Sequence, residues 1–200
     1  PGKSAQFRFN IPHKSAPLET QIHVIAGGPC SGKSTVINAL KQKGYHVEEE
    51  TAEKLIQAGI EMGKTAHELR SDPVQWQQQL LFADHALFNG LPFNTTIFTD
   101  TSFIETVVFG KRAGIEMGPN TKLWLQNKRY KRVFFLEPIQ TYQQTAVRME
   151  SQNIALQISQ QIREAYMEYG YELISVPFAS VAERLEFIIS FLDDEKPVKK

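Results

Sequence analysis

One stretch constrains this chain more than any other: Gly27-Gly28-Pro29-Cys30-Ser31-Gly32-Lys33-Ser34-Thr35. It fits G-x-x-x-x-G-K-[ST], with Gly27 and Gly32 as the framing glycines. Gln21 to Ala26 before it form a short apolar run that reads as a buried strand. Val36, Ile37 and Leu40 after it keep a three-to-four spacing that reads as a helix ending at Lys43, with Gly44 just beyond. In that order, strand, bend and helix predict a nest of backbone N–H groups for phosphate, helped by the helix N-terminus. Lys33 is then expected to bridge the β- and γ-phosphates, and the Ser34 hydroxyl to hold Mg²⁺. Thr35 contacts the α-phosphate or fills the first turn.

Composition excludes several classes. The chain has 22 Lys+Arg against 22 Asp+Glu, so no net charge favours a nucleic acid or an anionic membrane. No apolar run approaches the roughly 18 residues of a membrane span, and no charged-then-apolar signal segment opens the sequence. The single cysteine, Cys30, excludes an internal disulfide framework and a multi-cysteine metal site. A cytoplasmic protein is expected. Cys30 itself reads as a small side chain at a variable loop position, or as a thiol activated by the helix dipole and Lys33.

Residues 1–20 read as a flexible leader or arm, although Phe7, Phe9 and Ile11 alternate. A single domain is expected over 21–192, followed by a solvated tail at 193–200. Tyr45 to Glu48 reads as a second strand, and the helix after it runs through Leu55, Ile56 and Ala58 to near Gly63. Asp72-Pro73 starts another helix, with Asp as N-cap and Pro at the first position. Its buried stripe is expected at Trp76, Leu80, Ala83 and Leu87, leaving Gln77, Gln78, Asp84 and His85 on other faces. Thr95 to Asp100 reads as a third strand, and a helix follows through Ile104 and Val107 to Gly114, with Ser102 a candidate cap. Pro119 opens a short helix. Val133 to Leu136 reads as a central strand. Helix is expected over about 141–169, a fifth strand over Tyr171 to Val176, and a last helix behind a Ser180/Glu183 capping box. Five strands alternating with helices predict a three-layer α/β/α domain around a parallel sheet. Ligands in such sheets bind beyond the carboxyl ends of the strands.

Asp100 ends an apolar strand, where an acid can orient Mg²⁺; a helix-capping acid is the plainer alternative. Glu50 follows the second strand and could take a proton from an attacking hydroxyl. A solvated acidic turn with Glu48, Glu49 and Glu53 explains that cluster equally well. Arg148 lies between the fourth and fifth strands, in a lid-like segment at about 138–165. There an arginine can steady the charge of a transferring phosphoryl group, and Arg163 competes for the role. Asn127-Lys128-Arg129-Tyr130 lacks the acid of a guanine reader and precedes a strand, so it is set aside. The five histidines show no metal-ligand spacing.

With these motifs the chain resembles a family of small predicted ATPases, AAA-type in character and related to P-loop kinases. The resemblance covers about residues 21–192. It rests on the Gly27–Thr35 loop, Glu50-Thr51-Ala52, Asp100-Thr101-Ser102-Phe103-Ile104-Glu105-Thr106, Ala146 to Ser151, and Tyr166 to Pro177. Asp100-Thr101 also resembles the ribosylnicotinamide kinase domain of bacterial NAD-biosynthesis proteins. Deoxynucleoside and thymidylate kinases are more distant relatives, and the deoxynucleoside kinases carry an Arg directly after the strand-three acid, where this chain has Thr101. The resemblance implies a P-loop nucleoside triphosphate hydrolase fold of strand order 2-3-1-4-5, a lid arginine at Arg148, and adenine near the loop after the fifth strand.

Two functions follow as expectations. One is a small-molecule kinase that binds Mg²⁺·ATP at 27–35 and passes phosphate to an acceptor of nucleoside or metabolite type, with Lys33, Glu50, Asp100 and Arg148 as its catalytic groups. The other is an ATPase- or GTPase-type switch read by a protein partner. The absence of a guanine reader favours ATP, with GTP left open.

Overall fold

The computed structural model describes residues 18–48, 50–92, 94–100, 102–116, 118–138 and 146–193. The leader's first 17 residues, Glu49, Thr101, the lid-like stretch 139–145, the Arg148 side chain and the tail after Asp193 lie outside the described residues.

Strand alternation builds two apolar faces from one sheet. Ile22, Val24 and Ala26 of β2 (Ile22–Ala26) pack on one side with Val133 and Phe135 of β6 (Arg132–Leu136). Ile25 packs on the other side with Phe134 and Leu136. With period two, each central strand is apolar on both faces. Five strands lie in the order β3 (His46–Glu48), β4 (Ile97–Thr99), β2, β6, β7 (Leu173–Val176), and every pairing is parallel. Numbered along the chain that is 2-3-1-4-5, the fold of P-loop nucleoside triphosphate hydrolases and kinases. A second, two-residue ladder joins β1 (Leu18–Glu19) to β5 (Lys128–Arg129). No sequence signal announces it, because two residues carry no periodicity.

Helices cover both faces. α1 (Lys33–Gln42) and α8 (Val181–Asp193) bury Val36, Ile37, Leu40, Leu185 and Ile188 against one side. α4 (Pro73–Gly90), α5 (Phe103–Arg112) and α7 (Ala146–Glu168) cover the other. α2 (Thr51–Glu61), α3 (Ala66–Leu69) and α6 (Pro119–Asn127) complete the described helices. α3 is too short for a periodic pattern and escapes the sequence reading; a Thr65/Glu68 capping box holds it.

The sequence signals for helix ends hold: Asp72 accepts from the Val74 and Gln75 amides, and Ser180 pairs reciprocally with Glu183. The expected face of α4 does not. Its buried residues are Trp76, Gln77, Leu80, Leu81, Asp84 and Phe88, so Gln77 and Asp84 turn inward while Ala83 and Leu87 are only half-buried. Asp84 is tolerated there because the Thr106 hydroxyl of α5 donates to it at 2.6 Å.

Candidate functional site

The bend between β2 and α1 takes its shape from residues no ordinary strand–helix junction needs. Gly32 caps α1 at φ 90, in the left-handed region that glycine enters without cost. Cys30 is left-handed too, at φ 59, and it is exposed. Gly28 is required by close approach: a Cβ there would lie 2.6 Å from Ser159 Cβ and 3.0 Å from the Ala155 carbonyl of α7. Left-handed residues alternating with ordinary ones turn successive N–H groups to one side, which makes an anion nest at a helix N-terminus. The Lys33 ammonium donates to the Gly27 and Gly28 carbonyls at 2.7 and 3.2 Å, so it stays within the loop. Ser34 and Thr35 are exposed in the first turn, while Ser31 is fully buried and its Oγ has no partner among the described residues.

Beside the nest stand three carboxyls. Burial pushes Asp100 up to about 6; the Glu50 charge adds to the shift and Lys33 opposes it. One Asp100 oxygen, Oδ1, is buried with no partner among the described residues. Glu50 keeps a face to solvent, yet the surrounding protein raises its pKa, with Glu53 adding and Lys33 and Arg70 opposing. It stands at the N-cap of α2 without capping that helix through its side chain, which leaves the carboxylate free of a structural task. Of the acidic cluster around it, Glu48 is taken up by Lys54 at 2.7 Å and His46 at 3.0 Å. Glu105 is buried and lifted to about 7, again chiefly by burial and against Lys33. Lys33, Glu50, Asp100 and Glu105 thus feel one another's charge at this end of the sheet.

The structure brings Gly27 to Thr35, Glu50 and Asp100 to the same end of the sheet. Arg148 lies in the first turn of α7. Arg163, its competitor, is committed elsewhere: it donates to Glu137 at 2.7 Å and stacks 4.2 Å above the Phe135 ring.

Two groups at this end are not reached by spacing alone. Glu105 accepts from Tyr166 Oη at 3.3 Å, and Tyr166 in turn meets Ser102 Oγ at 2.7 Å. Ser102 caps α5 through the Glu105 amide. The spacing Ser102-x-x-Glu105 was a visible signal, but it suggests an exposed capping box rather than a buried acid. Arg184 is the other. Its signal was a cation on an otherwise apolar stripe, three residues after Val181 and four before Ile188.

Fold and loop define a P-loop nucleotide-binding protein. The chain belongs to the AAA domain family, whose sequence profile matches residues 22–184. No curated protein matches the sequence. Among solved structures, a deoxyadenosine kinase from M. mycoides with the products dCMP and a flexible dCDP bound is similar at 18% identity and TM-score 0.56, over 88% of this chain and 100% of that one. The NadR protein in complex with NR is similar at 16% identity and TM-score 0.62, over 90% of this chain and 52% of that one. The chain therefore spans about half the length of NadR. The YorR protein of Bacillus subtilis in complex with phosphorylated GDP is similar at 15% identity and TM-score 0.53, over 87% and 96% of the two chains. At these identities the likeness is one of fold.

Proposed function

We propose that the protein is a cytoplasmic small-molecule kinase that transfers the γ-phosphate of ATP to an acceptor hydroxyl of nucleoside or metabolite type. The observation that carries this reading is the cluster of Lys33, Glu50 and Asp100 at the mouth of the phosphate nest, since it combines a phosphate cation, a candidate base and a metal-side acid. The fold likeness to nucleoside-type kinases supports it.

Mg²⁺ suits the residues present. Among the described residues no three His, Cys, Asp or Glu side chains could hold a metal together. An exposed Ser34 hydroxyl and the unpartnered Asp100 oxygen do suit an ion that keeps most of its shell for water and phosphate. When bound, the ion would neutralise charge on the β- and γ-phosphates. The chain's own groups do the rest. Lys33 exchanges the Gly27 and Gly28 carbonyls for phosphate oxygens. Glu50, with its raised pKa and open face, takes the proton of the acceptor hydroxyl. Arg148, on the first turn of α7, steadies the equatorial oxygens, so Arg148→Ala lowers turnover far more than nucleotide affinity.

The test is ATP consumption by the purified protein against nucleosides, nucleotides and vitamin-derived ribosides. A slow basal rate that rises at least about tenfold with one acceptor supports a kinase, because a bound acceptor hydroxyl is held in position for attack and solvent water is not. ATP turnover indifferent to every acceptor, with partner affinity that differs between nucleotide states, would replace it with the switch.

A further inference from the structure

Arg184 is 7% exposed on the inward face of α8. Its Nε donates to the Ala179 carbonyl at 2.9 Å, and its Nη1 donates to the Ser31 carbonyl at 3.1 Å, across 153 residues of sequence. A Cβ built on Gly32 would lie 3.1 Å from Nη1, so the guanidinium rests against the turn itself. Phe178 lies on another side, with its ring centre 5.5 Å from the guanidinium carbon. Two carbonyls and an aromatic ring are neutral partners, so the positive charge is not cancelled by them.

A trans peptide is planar and carries its C=O and N–H on opposite sides. Holding the Ser31 carbonyl toward α8 therefore turns the Gly32 N–H the other way, to the concave side of the loop. The bond is charge-assisted, and a polarised carbonyl makes the N–H of the same peptide a stronger donor. We propose that Arg184 is a positioning residue of the phosphate site: it sets the 31–32 peptide so that the Gly32 N–H donates to a phosphate oxygen of a bound triphosphate. It touches no ligand. Lys33 has to leave the carbonyls it now holds before it can meet phosphate, whereas Arg184 already does its work in the free protein. The proposal rests on the loop being a phosphate site, and deepens that reading.

Arg184→Gln and Arg184→Lys are compared with the native chain by calorimetric titration with Mg²⁺·ATP and with inorganic tripolyphosphate. Because Arg184 acts on the cradle alone, both ligands weaken by the same factor, about tenfold for Gln. Lys keeps the charge and one donor and recovers part of the loss. In ¹⁵N-labelled protein, the Gly32 amide proton moves downfield when tripolyphosphate binds the native chain, and moves less in Arg184→Gln. A merely structural role would lower the melting temperature and leave both the affinities and this resonance alone. Native affinity for tripolyphosphate in either folded variant overturns the proposal. So does a Gly32 resonance in the native chain that stays in place while the ligand binds, a result that needs no variant to fold. A native chain that binds neither ligand removes the phosphate-site reading, and this proposal with it.

Discussion

The corner where the chain enters β6 and the loop where it leaves β2 treat their polar groups in opposite ways. At the corner, hydroxyls and amides are matched to each other. Tyr130 Oη accepts from the Phe103 amide at 3.1 Å, and Tyr171 Oη accepts from the Tyr130 amide at 3.2 Å. Arg129 donates to the Tyr169 and Gly170 carbonyls at the end of α7 and lies 3.9 Å over the Tyr171 ring. Thr20 both donates, to the Arg129 carbonyl, and accepts, from the Ile22 amide. At the loop, buried oxygens of Ser31 and Asp100 lack partners among the described residues, Cys30 is left-handed, and three acids sit above their ordinary range. The difference separates holding from binding. Unmet hydrogen-bonding capacity and strain persist where a ligand can satisfy them.

The largest effect expected at the loop comes from Lys33→Ala. Loss of one charged donor to phosphate weakens triphosphate binding on the order of 100-fold. Nucleotide-induced thermal stabilisation measures it, and the free protein should melt near the native temperature. An undiminished stabilisation would dissolve the contrast, since the loop would then be no binding site. The corner should answer in the opposite sense. Tyr130→Phe leaves the Phe103 N–H buried without its acceptor and costs about 2 kcal/mol. For a chain of this size that lowers Tm by about 6 °C, with the nucleotide-induced shift unchanged. If the shift falls in proportion to the stability, the two regions are one cooperative unit and the distinction fails.

Which of these features could be read from sequence follows from how far away the cause lies. The loop is legible because glycine spacing, Lys33 and the flanking apolar runs are all local. The Asp72 and Ser180 caps are legible for the same reason: side chain and amide partner are two or three residues apart. Asp84, Glu105 and Arg184 are not. Each is buried by a partner in another element: Thr106 for Asp84, Tyr166 for Glu105, and the Ser31 carbonyl for Arg184. Hydrophobic periodicity assigns such residues to solvent because it prices a side chain without its distant partner, and the misplaced face of α4 is the same error. Glu50 is an intermediate case. Its place after a strand was readable, but its separation from the acidic turn required seeing Lys54 draw Glu48 away.

Glu105 stands between the two regions and gives the smallest and most diagnostic effect. It feels Lys33 of the loop, while its partner Tyr166 meets Tyr171 of the corner edge-on at 5.8 Å. Burial lifts its carboxyl from 4.5 to about 7 in the folded chain, so the folded state holds a proton that the unfolded state has released. Stability from this group is therefore full below pH 4.5 and falls as pH rises toward 7, where the loss levels off. Glu105→Gln mimics the protonated acid, and its amide oxygen can still accept from Tyr166. The variant should melt below the native chain near pH 4.5, where its extra amide N–H groups make the difference, and above it at pH 8. A shift of this size sets a ceiling of about 3 kcal/mol. New amide N–H groups in a buried site offset part of it, leaving about 1 kcal/mol, or about 3 °C. Melting both proteins from pH 4.5 to 8 decides the matter. A variant-minus-native difference in melting temperature that is flat with pH, or that rises toward acid, would mean that Glu105 is charged in the folded chain and belongs with the matched pairs of the corner.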